Sequence, residues 1–158
     1  MRRTSFATKP CPIARSLESV GDWWTLLILR DAIFFGTSRF EEFRRSLDIP
    51  TNVLSSRLAR LSEEGILERQ DAPQGRSPHA YVVTDKGREL WPVIVSLAQW
   101  GRRWAGPADD LWDITWTHEA CGAVLPAGRV CAGCGESLEL SDLVMTATEP
   151  VNGLPVEG

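Results

Sequence analysis

Apolar side chains recur along the first hundred residues at spacings of three and four, the period that gathers them on one face of an α-helix. Ile13, Leu17 and Val20 form the first such stripe, opened by Pro12 and closed by Gly21, which puts Cys11 at or near a helix N-cap. Asp22 then caps Trp23-Trp24-Thr25-Leu26-Leu27-Ile28-Leu29, a run apolar almost all round and so expected as a central buried helix. Ser38-x-x-Glu41 reads as a capping box ahead of Phe40, Phe43 and Leu47. Leu47-Asp48-Ile49-Pro50 breaks that helix. Thr51 is expected to cap the next one, whose inner face is Leu54, Leu58 and Leu61 and which closes at Glu64-Gly65. Two short amphipathic helices with so short a connection make a helix-turn-helix.

The pattern then changes. Ile66-Leu67-Glu68-Arg69 and Ala80-Tyr81-Val82-Val83-Thr84 are β-prone runs on either side of a polar loop, Asp71 to His79, that contains Pro73, Gly75 and Pro78. They read as a hairpin, and a hairpin directly after a helix-turn-helix is a wing. Thr84-Asp85 starts a long helix to about Trp104, with Leu90, Ile94, Leu97, Gly101 and Trp104 as its seam. Pro92 either kinks this helix or marks its true start. Gly106-Pro107 ends the helical part, after which Trp112, Ile114 and Trp116 alternate as in a strand.

Charge divides the chain at the same place. Residues 1–104 carry sixteen Lys and Arg against twelve Asp and Glu, a balance of +4, whereas residues 105–158 carry only Arg129 against nine acids, a balance of −8. Such asymmetry argues for two modules with different partners. The expected organisation is a flexible N-terminus (1–10), a winged-helix domain (11–104), an acidic module (105–146) and a disordered tail (147–158). The fold class is α+β, mainly α, with a small β-rich C-terminal knuckle. The longest apolar block, Trp23 to Leu29, is too short for a membrane span, and no apolar stretch follows the basic N-terminus as in a secretory signal. A soluble, cytoplasmic protein is expected, without membrane association.

In a helix-turn-helix the first helix props the second, whose N-terminal half enters the major groove. With Leu54, Leu58 and Leu61 turned inward, the outward residues include Thr51, Asn52, Ser55, Ser56, Arg57 and Arg60. Small hydroxyl and amide side chains allow close approach, and Asn and Arg bond adenine and guanine edges. Arg76 at the wing tip is placed for a phosphate or the minor groove. Ser38 and Arg39, at a helix N-terminus, are placed for another phosphate through amide donors and a guanidinium. The competing reading leaves these helices as a scaffold with a solvated Arg/Ser face, the chain being a protein-interaction adaptor.

Cys11-Pro12-Ile13, Gly21-Asp22-Trp23-Trp24-Thr25-Leu26-Leu27-Ile28-Leu29-Arg30 and Gly36-x-x-Arg39-Phe40-x-Glu42-Phe43 form an ordered series. It runs on through Ile49-Pro50-x-x-x-Leu54-Ser55-x-Arg57-Leu58-x-x-Leu61, Gly65-Ile66-Leu67-x-Arg69, Tyr81-x-x-Thr84-x-x-Gly87 and Trp100. Over residues 11–104 the chain resembles the HxlR-type winged-helix transcriptional regulators of bacteria, which are MarR-like. The resemblance implies a homodimer on a pseudo-palindromic double-stranded operator, a repressor more often than an activator, paired through its N-terminal helix and the 85–104 helix. The same seam could instead pack within its own chain.

Two further sites carry chemistry. Cys11, at a helix N-terminus near Lys9 and Arg15, has the amides and cations that favour a thiolate, and some regulators of the resembled kind sense oxidants or electrophiles through a cysteine at this position. The alternative is a half-buried residue that only packs. In the acidic module, His118-x-x-Cys121-Gly122 and Cys131-x-x-Cys134-Gly135 look like the two knuckles of a zinc ribbon. Four such ligands would close a structural zinc site with no open position for catalysis. An unmetallated thiol pair and a Cys131–Cys134 disulfide are the other readings. No βαβ pattern surrounds the CxxC, and neither His79 nor His118 sits in a catalytic context, so no enzymatic activity is expected.

Overall fold

The computed structural model describes residues 5–6, 8–71, 79–106, 114–125 and 128–147. The chain divides into two compact units, residues 1–87 and 88–158. This division comes seventeen residues ahead of the change in composition, so the helix that ends at Trp104 groups with the acidic module rather than with the helix-turn-helix.

The first unit begins with α1 (Pro12–Val20), which starts on Pro12 because proline at the first turn gives up no needed N–H. Asp22 caps α2 (Trp23–Phe34), its Oδ1 accepting from Thr25 N at 3.1 Å. Ile28 and Leu29 are fully buried, as an all-apolar helix requires, but Trp23 in the first turn is 77% exposed. Asp31, fully buried, accepts from Ser46 Oγ at 2.6 Å and Arg30 Nε at 2.8 Å, and so ties α2 to α3 (Phe40–Leu47). Asp48 ends α3 in the left-handed region at φ 47°, a conformation aspartate tolerates better than most residues. Ile49 is buried, and α4 (Thr51–Glu63) follows.

Two cap assignments need correction. Glu42, not Glu41, reaches back at α3, accepting from Ser38 N at 3.2 Å and Arg39 N at 3.0 Å. The N-cap is Arg39, so the box is half of one, because a guanidinium has nothing to accept with. Pro50, not Thr51, is the N-cap of α4, and Thr51 is its first helical residue.

The hairpin pairs β1 (Leu67–Asp71) antiparallel with β2 (His79–Val83), from Leu67 opposite Val83 to Asp71 opposite His79. Tyr81 N donates to Ser38 O at 2.7 Å and Arg39 forms an antiparallel bridge to Ala80, so the segment before α3 is tied to the edge of the wing. After it comes a single helical turn, α5 (Asp85–Arg88). Gly87 there is sterically required: a Cβ would stand 2.3 Å from Ile66 O and 2.8 Å from Val83 Cγ1. Ile28, Leu29, Phe43, Ile49, Leu54, Leu58, Leu61, Ile66 and Leu67 are the core of this unit.

In the second unit α6 runs from Trp91 to Trp104, with Pro92 in its first turn. Of the two roles open to Pro92, it marks a start. Helix α6 has two apolar sides. Trp91, Ile94 and Val95 are buried, whereas Val93, Leu97, Trp100 and Trp104 are 50, 50, 59 and 64% exposed at spacings of four, three and four. The expected seam mixed these two sets, taking Ile94 from the inside and Leu97 and Trp104 from the outside. Strand β3 (Ile114–His118) pairs antiparallel with β4 (Leu143–Ala147), and Val124 bridges to Thr117 on the other edge of β3. No helix among the described residues is long and apolar enough to cross a membrane.

Candidate DNA-binding face and metal centre

Packing of Leu54, Leu58 and Leu61 inward fixes what α4 shows to solvent. Thr51, Asn52, Ser55 and Ser56 are exposed along the N-terminal half of the helix. The two arginines placed with them by spacing lie elsewhere. Arg57 Nε stands 2.9 Å from Asp22 Oδ2, both side chains largely covered, and Arg60 Nη2 donates to the carbonyl of Glu18 in α1. Both hold the helix against α1 and the start of α2. Burial opposes ionisation of Asp22, but the hydrogen bonds from Thr25 and the Arg57 guanidinium together hold its carboxyl below the ordinary range.

The amides of Ser38 and Arg39 are also committed, because the Glu42 carboxylate accepts from both. A carboxylate stands where a phosphate would need to be, and the amide part of the expected phosphate contact falls away. By contrast, the first turn of α4 has no side-chain cap. Its leading amides keep the donor character and positive end of the dipole that an anion uses. Arg76 lies outside the described residues. Arg45 and Arg69 are exposed on α3 and β1, positions that leave no periodic mark in the sequence. Cys11 is the exposed N-cap residue of α1, and Arg15 Nε donates to Lys9 O at 2.8 Å beside it.

In the second unit the four expected ligands come together. One nitrogen of His118 and the sulfurs of Cys121, Cys131 and Cys134 all lie within 4.8 Å of one another. His118 Nδ1 is 3.3 Å from Cys121 Sγ and 3.4 Å from Cys134 Sγ, and Cys121 Sγ is 3.5 Å from Cys131 Sγ. A tetrahedral zinc with ordinary bond lengths sets its ligand atoms about 3.5–3.8 Å apart, so the set fits. His118 and Cys131 are buried, Cys121 and Cys134 exposed.

Local backbone explains the convergence. Gly122 and Gly135, each directly after a ligand, take φ of 70° and 78°, which turns the chain back sharply enough for both ligands of a pair to face one point. Gly133 has no room for a side chain, since a Cβ would lie 2.5 Å from that of Ala123. Amides of Cys134 and Gly133 point at Cys131 and, against the cost of burial, lower its thiol to about 6. The amide of Glu136 does the same for Cys134, but burial and the neighbouring sulfurs outweigh it and push that thiol up to about 11. Crowded sulfurs of this kind cannot all ionise unless a cation is placed among them. His118 Nε2 lies 3.8 Å from Glu136 Oε2, an outer carboxylate that composition did not single out.

Residues 19–109 match the HxlR-like helix-turn-helix family. The chain belongs to that family. The chain is similar to an HTH-type transcriptional regulator of Mycobacterium tuberculosis, 41% identical over 126 residues that cover 80% of this chain and 78% of that one. Among solved structures, the candidate transcription factor PA1607 is 37% identical with a TM-score of 0.69, covering 88% of this chain and 96% of that chain. The redox regulator HypR in its reduced form is 28% identical with a TM-score of 0.54, covering 60% of this chain and 96% of that chain.

As a member of the HxlR-like family, this chain is a DNA-binding, winged helix-turn-helix transcriptional regulator. The coverages differ informatively. HypR is almost used up on 60% of this HxlR-like chain, whereas the likeness to PA1607 reaches well past residue 109. The knuckle is thus an addition to the HxlR-like core, shared at least in part with PA1607.

Proposed function

We propose that this protein is a homodimeric regulator, acting as a repressor, that reads a two-fold-symmetric operator with the N-terminal half of α4. The observation that carries this is the exposed row Thr51, Asn52, Ser55 and Ser56 ahead of an uncapped first turn. Asn52 supplies a bidentate partner for adenine, and the hydroxyls are short enough to let the helix backbone approach the groove. Arg39, Arg45, Arg69 and Arg76 supply the phosphate contacts that position it, while Arg57 and Arg60 support the helix from behind. The exposed apolar residues of α1 and α2 (Ile13, Leu17, Trp23) and the outer stripe of α6 form the contacts between copies.

In the acidic unit, His118, Cys121, Cys131 and Cys134 hold one structural zinc ion, which supplies the cross-link that so short a β segment cannot obtain from its own core. Exposed Cys11 answers oxidants or electrophiles, releasing the operator. Neither role involves catalysis.

Selection of genomic fragments by the purified protein at about 150 mM salt tests the reading, because phosphate contact alone is weakened there. A recovered motif with half-sites one or more helical turns apart is expected. Fragments without any shared motif would overturn it. Diamide treatment is expected to release the recovered site from the wild type and not from Cys11→Ser, and equal release from both would remove Cys11 from the account.

A further inference from the structure

We propose that metal occupancy of the knuckle controls self-association of the chain, because the knuckle holds α6 in the position from which its outer stripe meets a second copy. This rests on the dimer and the metal site proposed above and adds their coupling.

Helix α6 is apolar on both sides. Its outer stripe, Val93, Leu97, Trp100 and Trp104, is left to solvent, and its inner side, Trp91, Ile94 and Val95, is buried. A helix of this kind keeps one side outward only if something fixes the other. The polar ties that do so all end close to metal ligands. Gln99 Nε2 donates to Leu125 O at 2.8 Å, four residues after Cys121. Arg102 Nη1 donates to Ile114 O at 2.6 Å, four residues before His118. Arg129, two residues before Cys131, pairs with Glu89 just ahead of the helix and stands 4.0 Å from Glu139.

The acceptors of those ties are only as fixed as the knuckle. Among the described residues its sheet is the two-stranded β3–β4 ribbon, an arrangement marginal by itself in water. Among the described residues its buried side chains are Trp116, His118, Leu125, Cys131 and Leu138, and two of these five belong to the proposed ligand set. Without a cation the loops that present Ile114 and Leu125 lose their cross-link, and α6 loses the supports at Gln99 and Arg102. The stripe then no longer presents as one rigid surface. A second copy is the occupant the stripe fits, since a four-three-four apolar row is the seam by which two helices pair.

The test uses the full chain under reducing conditions, zinc-loaded and after removal of zinc by a chelator, followed in each state by sedimentation equilibrium and elemental analysis. We expect the zinc-loaded chain to dimerise with one zinc per chain. The dimer of the metal-free chain should be weaker by about tenfold or more, within the usual range for coupling between sites, and zinc(II) should restore it. The double variant Gln99→Leu/Arg102→Met keeps every ligand and checks the route: one zinc per chain, with a weakened dimer. A metal-free dimer as tight as the loaded one overturns the coupling while leaving the dimer standing. A zinc-loaded monomer overturns the dimer reading beneath it, and a chain that takes up no zinc overturns the metal site.

Discussion

Arg57 separates what spacing suggests from what packing dictates, and the Asp22–Arg57 pair can be tested quantitatively. Asp22 does two jobs: it caps α2 through Thr25 N at 3.1 Å and Thr25 Oγ1 at 2.8 Å, and it pairs with Arg57 Nε at 2.9 Å. Loss of an N-cap costs about 1 kcal/mol. An ion pair with both side chains still partly solvated adds about 0.5–1 kcal/mol after screening. Asp22→Ala should therefore destabilise by about 1.5–2 kcal/mol. For a unit of 87 residues that lowers the melting temperature by roughly 6–16 °C. Asp22→Asn keeps a good cap and should lose only the ionic part. Urea denaturation of Asp22→Ala, Arg57→Ala and the double variant forms a cycle whose coupling energy should be about 0.5–1 kcal/mol. In parallel, fragment selection with Arg57→Ala should return the wild-type motif. Strict additivity in the cycle, or a motif relaxed at one base pair by Arg57→Ala, would refute the assignment of Arg57 to support rather than to readout.

Acid should act on the same pair. The folded-state pKa of Asp22 lies below its unfolded value, so the stabilisation is complete above about pH 5 and is lost as pH falls through the folded value. The stability difference between wild type and Asp22→Asn in urea should accordingly shrink from pH 7 towards pH 3. Asn52→Ala should cost about 1–3 kcal/mol of discrimination at one base pair in competition binding, and an unchanged motif would exclude it from readout. Gly87→Ala forces a methyl into space 2.3 Å from Ile66 O, and should destabilise the first unit by about 1–3 kcal/mol in thermal melts. Gly133→Ala drives a methyl against Ala123 and towards Cys121 Sγ, 3.4 Å away, and should weaken zinc binding about tenfold or more in chelator competition.

Much of this was legible in the sequence, because helix periodicity and turn chemistry act locally. The order of helices and hairpin follows from three-four spacing and from Pro12, Gly21 and Pro50. The convergence of His118, Cys121, Cys131 and Cys134 follows from two x-x pairs, each with a glycine behind it, whose backbone requirement is itself local. What stayed hidden depends on tertiary partners. Arg57 and Arg60 occupy helical positions adjacent to the exposed row, and only the positions of Asp22 and of the Glu18 carbonyl decide that they turn inward. Glu42 in place of Glu41 at the cap of α3 is a one-residue shift, within the resolution of any cap pattern. Helix α6 defeated the periodicity argument for a different reason: with apolar residues on two sides, more than one seam can be drawn through it.

That doubled helix also constrains the protein's history. Most surface helices change one face freely while the other is conserved by packing. In α6 Gln99 and Arg102 answer to the acidic module and the outer apolar residues to whatever meets the stripe, so both sets are constrained at once. A lineage that discarded the acidic module would inherit a helix with Gln99 and Arg102 deprived of their acceptors and with its outer stripe still exposed. Several simultaneous replacements would be needed to make it soluble again. The extension behaves as a ratchet: easily kept once acquired, and hard to shed one mutation at a time.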